Sequence, residues 1–206
     1  AVIPYMKSRV KEKNKWDWLP WRLLRFDQMR KRSTSEDIEN MRQQILIRYT
    51  QKSGATEAYR ILRTNIKAEE LLKNDQHILL VTSTIPREGK SITALNLTLA
   101  LAQDGYRTLL IDCDLRKAVQ HKIFHIDKEP GLTDILLGTS TPEKTIRTFL
   151  DITISGMDIK DVVKIPGIDN FNLLTCGRIV TNPAELLDST KINELFSDLK
   201  TKYDFL

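Results

Sequence analysis

HILLVTSTIPREGKSITALNLTLALAQDGYRTLLIDCDLR, running from His77 to Arg116, carries two structural periods, and the architecture follows from them. Ile78 to Val81 is a short apolar run rich in β-branched residues, of the kind buried in a parallel sheet. From Lys90 the spacing of Ala94, Leu97 and Leu101 predicts a helix that continues to Gly105, a residue suited to ending it. A second apolar strand, Thr108 to Ile111, ends in Asp112-Cys113-Asp114. Between the first strand and the helix lies Ser83-Thr84-Ile85-Pro86-Arg87-Glu88-Gly89-Lys90-Ser91.

Backbone N–H groups at a helix N-terminus have no intrahelical partner, and the helix dipole favours negative charge there. A loop feeding such a terminus is therefore an anion cradle. In this reading Thr84, Ile85, Pro86, Arg87, Glu88, Gly89, Lys90, Ser91 and Ile92 surround the phosphates of a nucleotide. Gly89 lets the backbone approach, Lys90 reaches the β/γ-phosphate oxygens, and the Ser91 hydroxyl sits on Mg²⁺. The full pattern asks for glycine five residues before Gly89, where Thr84 stands. Gly-Lys-Ser alone is a weak signal, and the plain alternative is a strand–turn–helix with a solvated lysine. The strand before it, the long apolar helix after it and the Asp-x-Asp ending the next strand favour nucleotide binding. Two carboxylates at i and i+2 point to opposite faces of a straight strand. At its carboxyl end, where the chain leaves the sheet, both can turn toward the crevice in which open α/β sheets bind ligands. The roles open to Asp112 and Asp114 there are a Mg²⁺ contact, direct or through water, and acceptance of an attacking hydroxyl's proton.

Pro86-Arg87-Glu88-Gly89-Lys90-Ser91, followed by Leu110-Ile111-Asp112-Cys113-Asp114-Leu115-Arg116, resembles the bacterial tyrosine kinases of capsule and exopolysaccharide synthesis. These belong to the deviant Walker group that also holds chromosome-partitioning and division-site ATPases. The resemblance spans about residues 54–206, and in that family the first glycine of the loop is often missing, so Thr84 fits. It implies an α/β fold, a P-loop NTPase-like, mostly parallel sheet flanked by helices, with ATP and Mg²⁺ as cofactors. It also implies catalytic roles for Lys90, Asp112, Asp114 and Arg116. Asp112 goes with Mg²⁺, Asp114 with Mg²⁺ and proton abstraction, and Arg116 neutralises phosphate or holds the carboxylates. Lys117-Ala118 departs from the family's basic-Pro, which touches turn rigidity more than chemistry.

At 206 residues the chain suits one domain of ordinary size plus an extra segment, divided here as 1–52 and 53–206. A hydrophobic share of 41% suffices for a core. No run of eighteen apolar residues occurs, so no segment reads as a membrane span. The net charge of +5 is uneven: residues 1–52 hold 13 Lys/Arg against 6 Asp/Glu, which is +7, leaving 19 against 21, or −2, for the remainder. The pI near 9.1 thus belongs to the N-terminal stretch and does not argue for nucleic acid as a partner. Cys113 and Cys176 fall near predicted strand ends without metal-ligand spacing and read as two buried thiols in a reducing cytosol. His77, His121 and His125 show no metal or catalytic spacing.

The N-terminal stretch reads as a basic, tryptophan-containing linker. Trp16, Trp18 and Trp21 are interleaved with basic side chains, a composition suited to lying on an anionic membrane surface. Docking of these aromatics onto the domain or a neighbouring subunit is the equal alternative. Ala1-Val2-Ile3-Pro4 is similar to the segment that, in the family, follows the second transmembrane helix of a chain-length-determinant region. That region, in the same or a partner chain, is an implied partner, and the cytoplasmic face of the bacterial plasma membrane the implied location. From Arg30 to Thr50 a polar, helical-looking stretch leads into the domain.

Thr56 is a plausible cap for a helix to about Lys73, which carries Glu57, Arg60 and Arg63 along one face. Such a face is ordinarily solvated. Glu-x-x-Arg-x-x-Arg also resembles the family's oligomerisation motif, in which one subunit's acid meets a neighbour's arginines in a ring. Gly131 to Gly138 brackets a short helix, Thr141 to Ile168 reads as irregular and peripheral, and Phe171 to Thr175 as another buried strand. Asn182-Pro183-Ala184-Glu185-Leu186-Leu187 has helix-start chemistry and matches a family motif. Ser189 to Lys202 is amphipathic, with Ile192, Leu195, Phe196 and Leu199 on its apolar face.

Tyr203-Asp204-Phe205-Leu206 resembles the start of the family's Walker B strand. The sequence therefore reads as a fragment truncated before that strand and its tyrosine-rich tail, expected to bind nucleotide weakly and not to act as a kinase alone. The expected parent is an ATP-dependent protein-tyrosine autokinase regulating exopolysaccharide or capsule chain synthesis and export. The rivals are a partitioning-type ATPase, whose extra loop lysine is replaced here by Ser83, Thr84 and Ile85, and a non-catalytic nucleotide-gated scaffold.

Overall fold

The computed structural model describes residues 35–45, 54–68, 77–154 and 167–206, with Thr153 and Ile154 as backbone only. The tryptophan cluster and the expected helix extension to Lys73 lie outside the described residues. Thr108–Ile111 (β1), Arg147–Thr148 (β2) and Phe171–Leu174 (β3) form a sheet in the order β1-β3-β2. β1 and β3 are parallel, Thr108 opposite Phe171 through Ile111 opposite Leu174, and β2 adds a short antiparallel edge at Leu173 and Asn172. On the far side of β1 the chain end continues the parallel pairing. Phe205 bridges both Thr108 and His77, with Leu109 N–H donating to the Phe205 carbonyl at 3.0 Å and Leu79 N–H to the Leu206 carbonyl at 2.8 Å. Residues 204–206 thus lie between residues 77–79 and β1; the expected strand Ile78 to Val81 is reduced to an isolated bridge at His77 and the Leu79 hydrogen bond.

The helices are α1 (Ser35–Gln43), α2 (Gly54–Ala68), α3 (Lys90–Gln103), α4 (Gln120–Phe124), α5 (Leu132–Leu136), α6 (Pro142–Thr145), α7 (Phe149–Ile154), α8 (Pro183–Leu187) and α9 (Thr190–Lys202). Side chains alternate across a strand, and that alternation divides the core. Leu110, Phe171 and Leu173 join Leu95 and Leu99 of α3, Ile123 and Phe124 of α4 and Phe149 of α7. Leu109 and Leu174 join Leu132 and Leu136 of α5 and Leu195 and Leu199 of α9. Ile192 and Phe196 pack partly buried beside them, as the amphipathic pattern required. Helix α3 is apolar all round, as a buried helix must be. Its Leu97, Ala100 and Leu101 form a third cluster with Tyr59 of α2 and Phe205.

Several details differ from expectation. Ile78 to Val81 is not buried on both faces: Ile78 is 44% and Leu80 84% exposed, while Leu79 packs against the third cluster. Parallel strands are buried on both sides only where helices cover both, and here the face carrying Ile78 and Leu80 lacks a cover among the described residues. Residues 141–168 are not wholly peripheral. Pro142 starts α6, β2 joins the sheet, and Phe149 and Ile152 are core residues. Thr56 is a buried first-turn residue of α2, which starts at Gly54. Asn182 precedes α8, but its amide bonds the Glu185 carboxylate at 3.0 Å rather than a backbone N–H. Cys113 is exposed, because it occupies the outward position between two aspartates, while Cys176 is buried.

Helix α1, from the N-terminal stretch, docks on the domain. Arg42 donates from Nε to the Ile123 carbonyl at 2.9 Å and from Nη2 to the Lys122 carbonyl at 2.7 Å. These carbonyls end α4, where a cation complements the helix dipole. Ile45 is fully buried, and the buried Asn96 of α3 donates to the Gln44 carbonyl at 2.9 Å.

Gly131 and Gly177 lie so close that a Cβ on Gly131 would meet the Gly177 nitrogen at 2.1 Å. The buried Asp134 carboxylate holds this contact, accepting from Gly131 N–H at 2.8 Å, from Arg178 N–H at 3.3 Å and from the Arg178 guanidinium. Burial alone would raise its pKa, but these donors outweigh burial and hold it below the usual carboxylate value. A depressed folded pKa gives stability that is present above the unfolded value of 3.8 and lost as pH falls through the folded one. Asp134→Asn is expected to cost about 2–3 kcal/mol at neutral pH by stranding these donors, and to flatten the acid limb of urea unfolding.

Candidate functional site

The loop turns into α3 at Gly89, whose φ of +86° is in the left-handed region that glycine enters without strain. Thr93 N–H donates to the Gly89 carbonyl at 2.8 Å, the first helical bond, so the N–H groups ahead of it are free of intrahelical partners. Arg87 is also left-handed, at φ +68°. Thr84, Ile85, Pro86, Arg87 and Glu88 are exposed, whereas Ile92 is buried and anchors the first turn of α3. Ser83 Oγ donates to the Ile85 carbonyl at 2.9 Å, and the Glu88 carboxylate lies 3.4 Å from both Thr84 Oγ1 and Ile85 N. Thr84 to Glu88 therefore form an open rim over the start of a buried helix, with Gly89, Lys90 and Ser91 partly buried beneath it.

The strand-end aspartates face this rim. Lys90 Nζ lies 3.3 Å from Asp114 Oδ2, both side chains half-buried. Asp114 Oδ1 accepts from Lys117 N–H at 2.9 Å, which curls the chain away from the sheet. Asp112 is only 8% exposed. Its Oδ1 accepts from Asp114 N–H, and its Oδ2 from the N–H groups of Val119 and Gln120, each at 3.2 Å. Burial raises its pKa and the Asp114 charge pushes the same way, against these three donors. Arg116 is exposed on the following turn.

The residues fit Mg²⁺. The Ser91 hydroxyl and the two carboxylates are hard oxygen ligands, and a carboxylate offers about four lone-pair sites, of which Asp112 commits three to N–H donors. No described cation pairs with Asp112, so a divalent ion would compensate its buried charge. Gln120 went unnoticed in the sequence. It is 3% exposed, and its Nε2 donates to the Ser91 carbonyl at 2.9 Å while its backbone N–H holds Asp112. No motif signals it, because its importance lies in a contact 29 residues distant in sequence.

On α2 the three motif residues divide. Glu57 is exposed and Arg60 partly exposed, 3.7 Å apart within the helix. Arg63 turns inward, 18% exposed, donating to the Ala100 carbonyl of α3 at 3.0 Å and lying 3.4 Å from Asp104. It compensates the C-terminus of α3. Asp37 of α1 lies 3.9 Å from Arg87, so α1 reaches the loop rim.

Residues 79–206 match the family model described as CobQ/CobB/MinD/ParA nucleotide binding domain. The putative tyrosine-protein kinase CapB of Staphylococcus aureus is 34% identical over 155 residues, covering 75% of this chain and 60% of that protein. Tyrosine-protein kinase YwqD of Bacillus subtilis (strain 168) is 34% identical over 166 residues, 81% of this chain and 62% of that protein. The chain therefore spans about three-fifths of the length of these two relatives. Among solved structures, the chimerical protein CapA2B2 superposes with a TM-score of 0.65 at 31% identity, covering 84% of this chain and 73% of that one. The kinase domain of the Escherichia coli tyrosine kinase ETK does so with a TM-score of 0.65 at 28% identity, covering 78% and 56%. With the glycine turn, Lys90 and the paired aspartates converging on one helix start, the chain belongs to the CobQ/CobB/MinD/ParA nucleotide-binding domain family and, within it, is similar to the kinase domains of bacterial tyrosine kinases.

Proposed function

We propose that the chain is the nucleotide-binding part of an ATP-dependent protein-tyrosine autokinase that regulates capsule or exopolysaccharide synthesis and export. The observation that carries this reading is the 3.3 Å approach of Lys90 to Asp114 at the loop rim. It brings the phosphate-binding lysine and the proton-accepting carboxylate to one point. Phosphoryl transfer needs little covalent chemistry from the protein, so positioning and electrostatics supply the rate. The loop N–H groups and Lys90 hold the β- and γ-phosphates, with Lys90 exchanging Asp114 for phosphate oxygens as they arrive. Ser91, Asp112 and Asp114 would hold Mg²⁺, which neutralises charge on the transferring group. Asp114, released from Lys90, accepts the proton of the attacking tyrosine hydroxyl, and Arg116 supplies positive charge beside the phosphates.

The solvent-accessible Glu57–Arg60 pair is proposed to exchange partners with a neighbouring copy in a ring, so that one subunit phosphorylates the next. Arg63 supports that helix from inside. The +7 charge of residues 1–52 suits the anionic cytoplasmic leaflet of the plasma membrane, beside a chain-length-determinant transmembrane region in the same or a partner chain. No nucleic acid is part of this reading.

Intact-mass measurement of the full-length protein with Mg-ATP is expected to show added phosphates on tyrosine that Lys90→Ala abolishes. ATP consumption without mass gain would instead indicate a partitioning-type ATPase, and neither would indicate a scaffold. Lys90→Ala is also expected to weaken ADP roughly ten- to hundredfold in calorimetry, by loss of a charge-assisted contact. Glu57→Ala with Arg60→Ala is expected to convert rings to monomers by light scattering without lowering the melting temperature, whereas Arg63→Ala lowers it. An unaltered mass in the double variant removes the ring assignment.

A further inference from the structure

Gln120 has no role in the chemistry above, yet it touches both nucleotide motifs. Its backbone N–H holds Asp112 Oδ2 at 3.2 Å, and its Nε2 donates to the Ser91 carbonyl at 2.9 Å. That carbonyl can only accept, so the amide is oriented with Nε2 toward Ser91 and Oε1 turned away. Oε1 is buried and without a donor among the described residues. A buried acceptor left in this condition is costly and calls for a hydrogen from water or ligand. Two other buried polar atoms share it, Arg63 Nε and His121 Nδ1. Of the three, only Gln120 Oε1 belongs to a residue bonded to two of the candidate Mg²⁺-binding residues.

We propose that Gln120 is a positioning residue of the nucleotide site: its backbone N–H on Asp112 and its side-chain amide on the Ser91 carbonyl tie the Asp112 strand end to the first turn of α3 and so set the spacing of two Mg²⁺-binding residues. The inference rests on the phosphate-loop reading of Lys90 and Ser91. Mg²⁺ demands near-octahedral geometry, so it is sensitive to the spacing of its ligands. Ser91 and Asp112 lie on different elements, and Gln120 spans the two. Outer partners of this kind typically tune metal affinity by about 10–100-fold. Phosphate binding itself, through loop N–H groups and Lys90, does not pass through the Gln120 side chain. A change at Gln120 is therefore read in the metal-dependent part of nucleotide affinity, which a merely structural role would not move.

The test is calorimetry of ADP binding to the full-length protein, with and without Mg²⁺, for wild type, Gln120→Met, Gln120→Asn, Gln120→Glu and Lys90→Ala. Gln120→Met, isosteric but without donor or acceptor, is expected to keep metal-free ADP affinity within about twofold and to lose about tenfold of the Mg²⁺-dependent strengthening. Gln120→Asn keeps the amide but not its reach and is expected to lose a similar factor, so it serves if the methionine variant does not fold. Gln120→Glu keeps the reach but sets an acceptor against the Ser91 carbonyl in place of the Nε2 donor, and is expected to lose a similar factor. Wild-type strengthening in both the Met and Asn variants overturns the proposal. Lys90→Ala is expected to weaken ADP by roughly the same ten- to hundredfold with and without metal. If the wild-type protein binds no ADP under either condition, the phosphate-loop reading falls and this inference with it.

Discussion

A helix N-terminus can hold an anion only if the helix itself cannot recoil, and burial of α3 supplies that constraint. Its Leu95, Leu99 and Ala102 are locked into one core, its Leu97, Ala100 and Leu101 into another, and its Asn96 into a bond with the backbone after α1. Burial on almost every side leaves the N-terminal rim as the open end. The far end is held by the Arg63 guanidinium on the Ala100 carbonyl and by the left-handed Gly105. Charge thus complements the dipole at both ends of α3, with a cation from α2 at one and a place for phosphate at the other.

The site's electrostatics grow from that helix. Asp112 is buried with three N–H donors and no described cation, whereas Asp114 is half-buried and shares its charge with Lys90. The two carboxylates therefore suit different work. The first is fixed and fits a structural ligand for a divalent ion, while the second can trade partners. Position on the strand end produces this difference: one side chain turns back under α4 and the other leaves with the curling chain.

How much of this was legible depends on the range of the interaction. The loop, α3, β1, β3 and α9 were readable because period, glycine placement and capping chemistry act within a few residues. The loss of alternation in 78–81 suggested burial on both faces, but coverage of a sheet face is decided by elements distant in sequence, and Leu80 stays exposed. The lack of a regular pattern in 141–168 suggests a peripheral segment, although Phe149 and Ile152 fill a core position that only the sheet defines. The spacing of Glu57, Arg60 and Arg63 placed them on one face of a helix. Where α2 meets α3 then decided that Arg63 points inward and Glu57 outward.

By itself the sequence determined the glycine turn into α3, the lysine and hydroxyl that follow it, and the strand-end carboxylates. Each of these is a local pattern of glycine, charge and periodicity. Only the tertiary structure decided which carboxylate is buried, which arginine of α2 serves the fold, and that Gln120 joins Ser91 to Asp112. Those outcomes depend on distances between elements brought together by a shared core, and burial, unlike periodicity, is a property of the assembled fold.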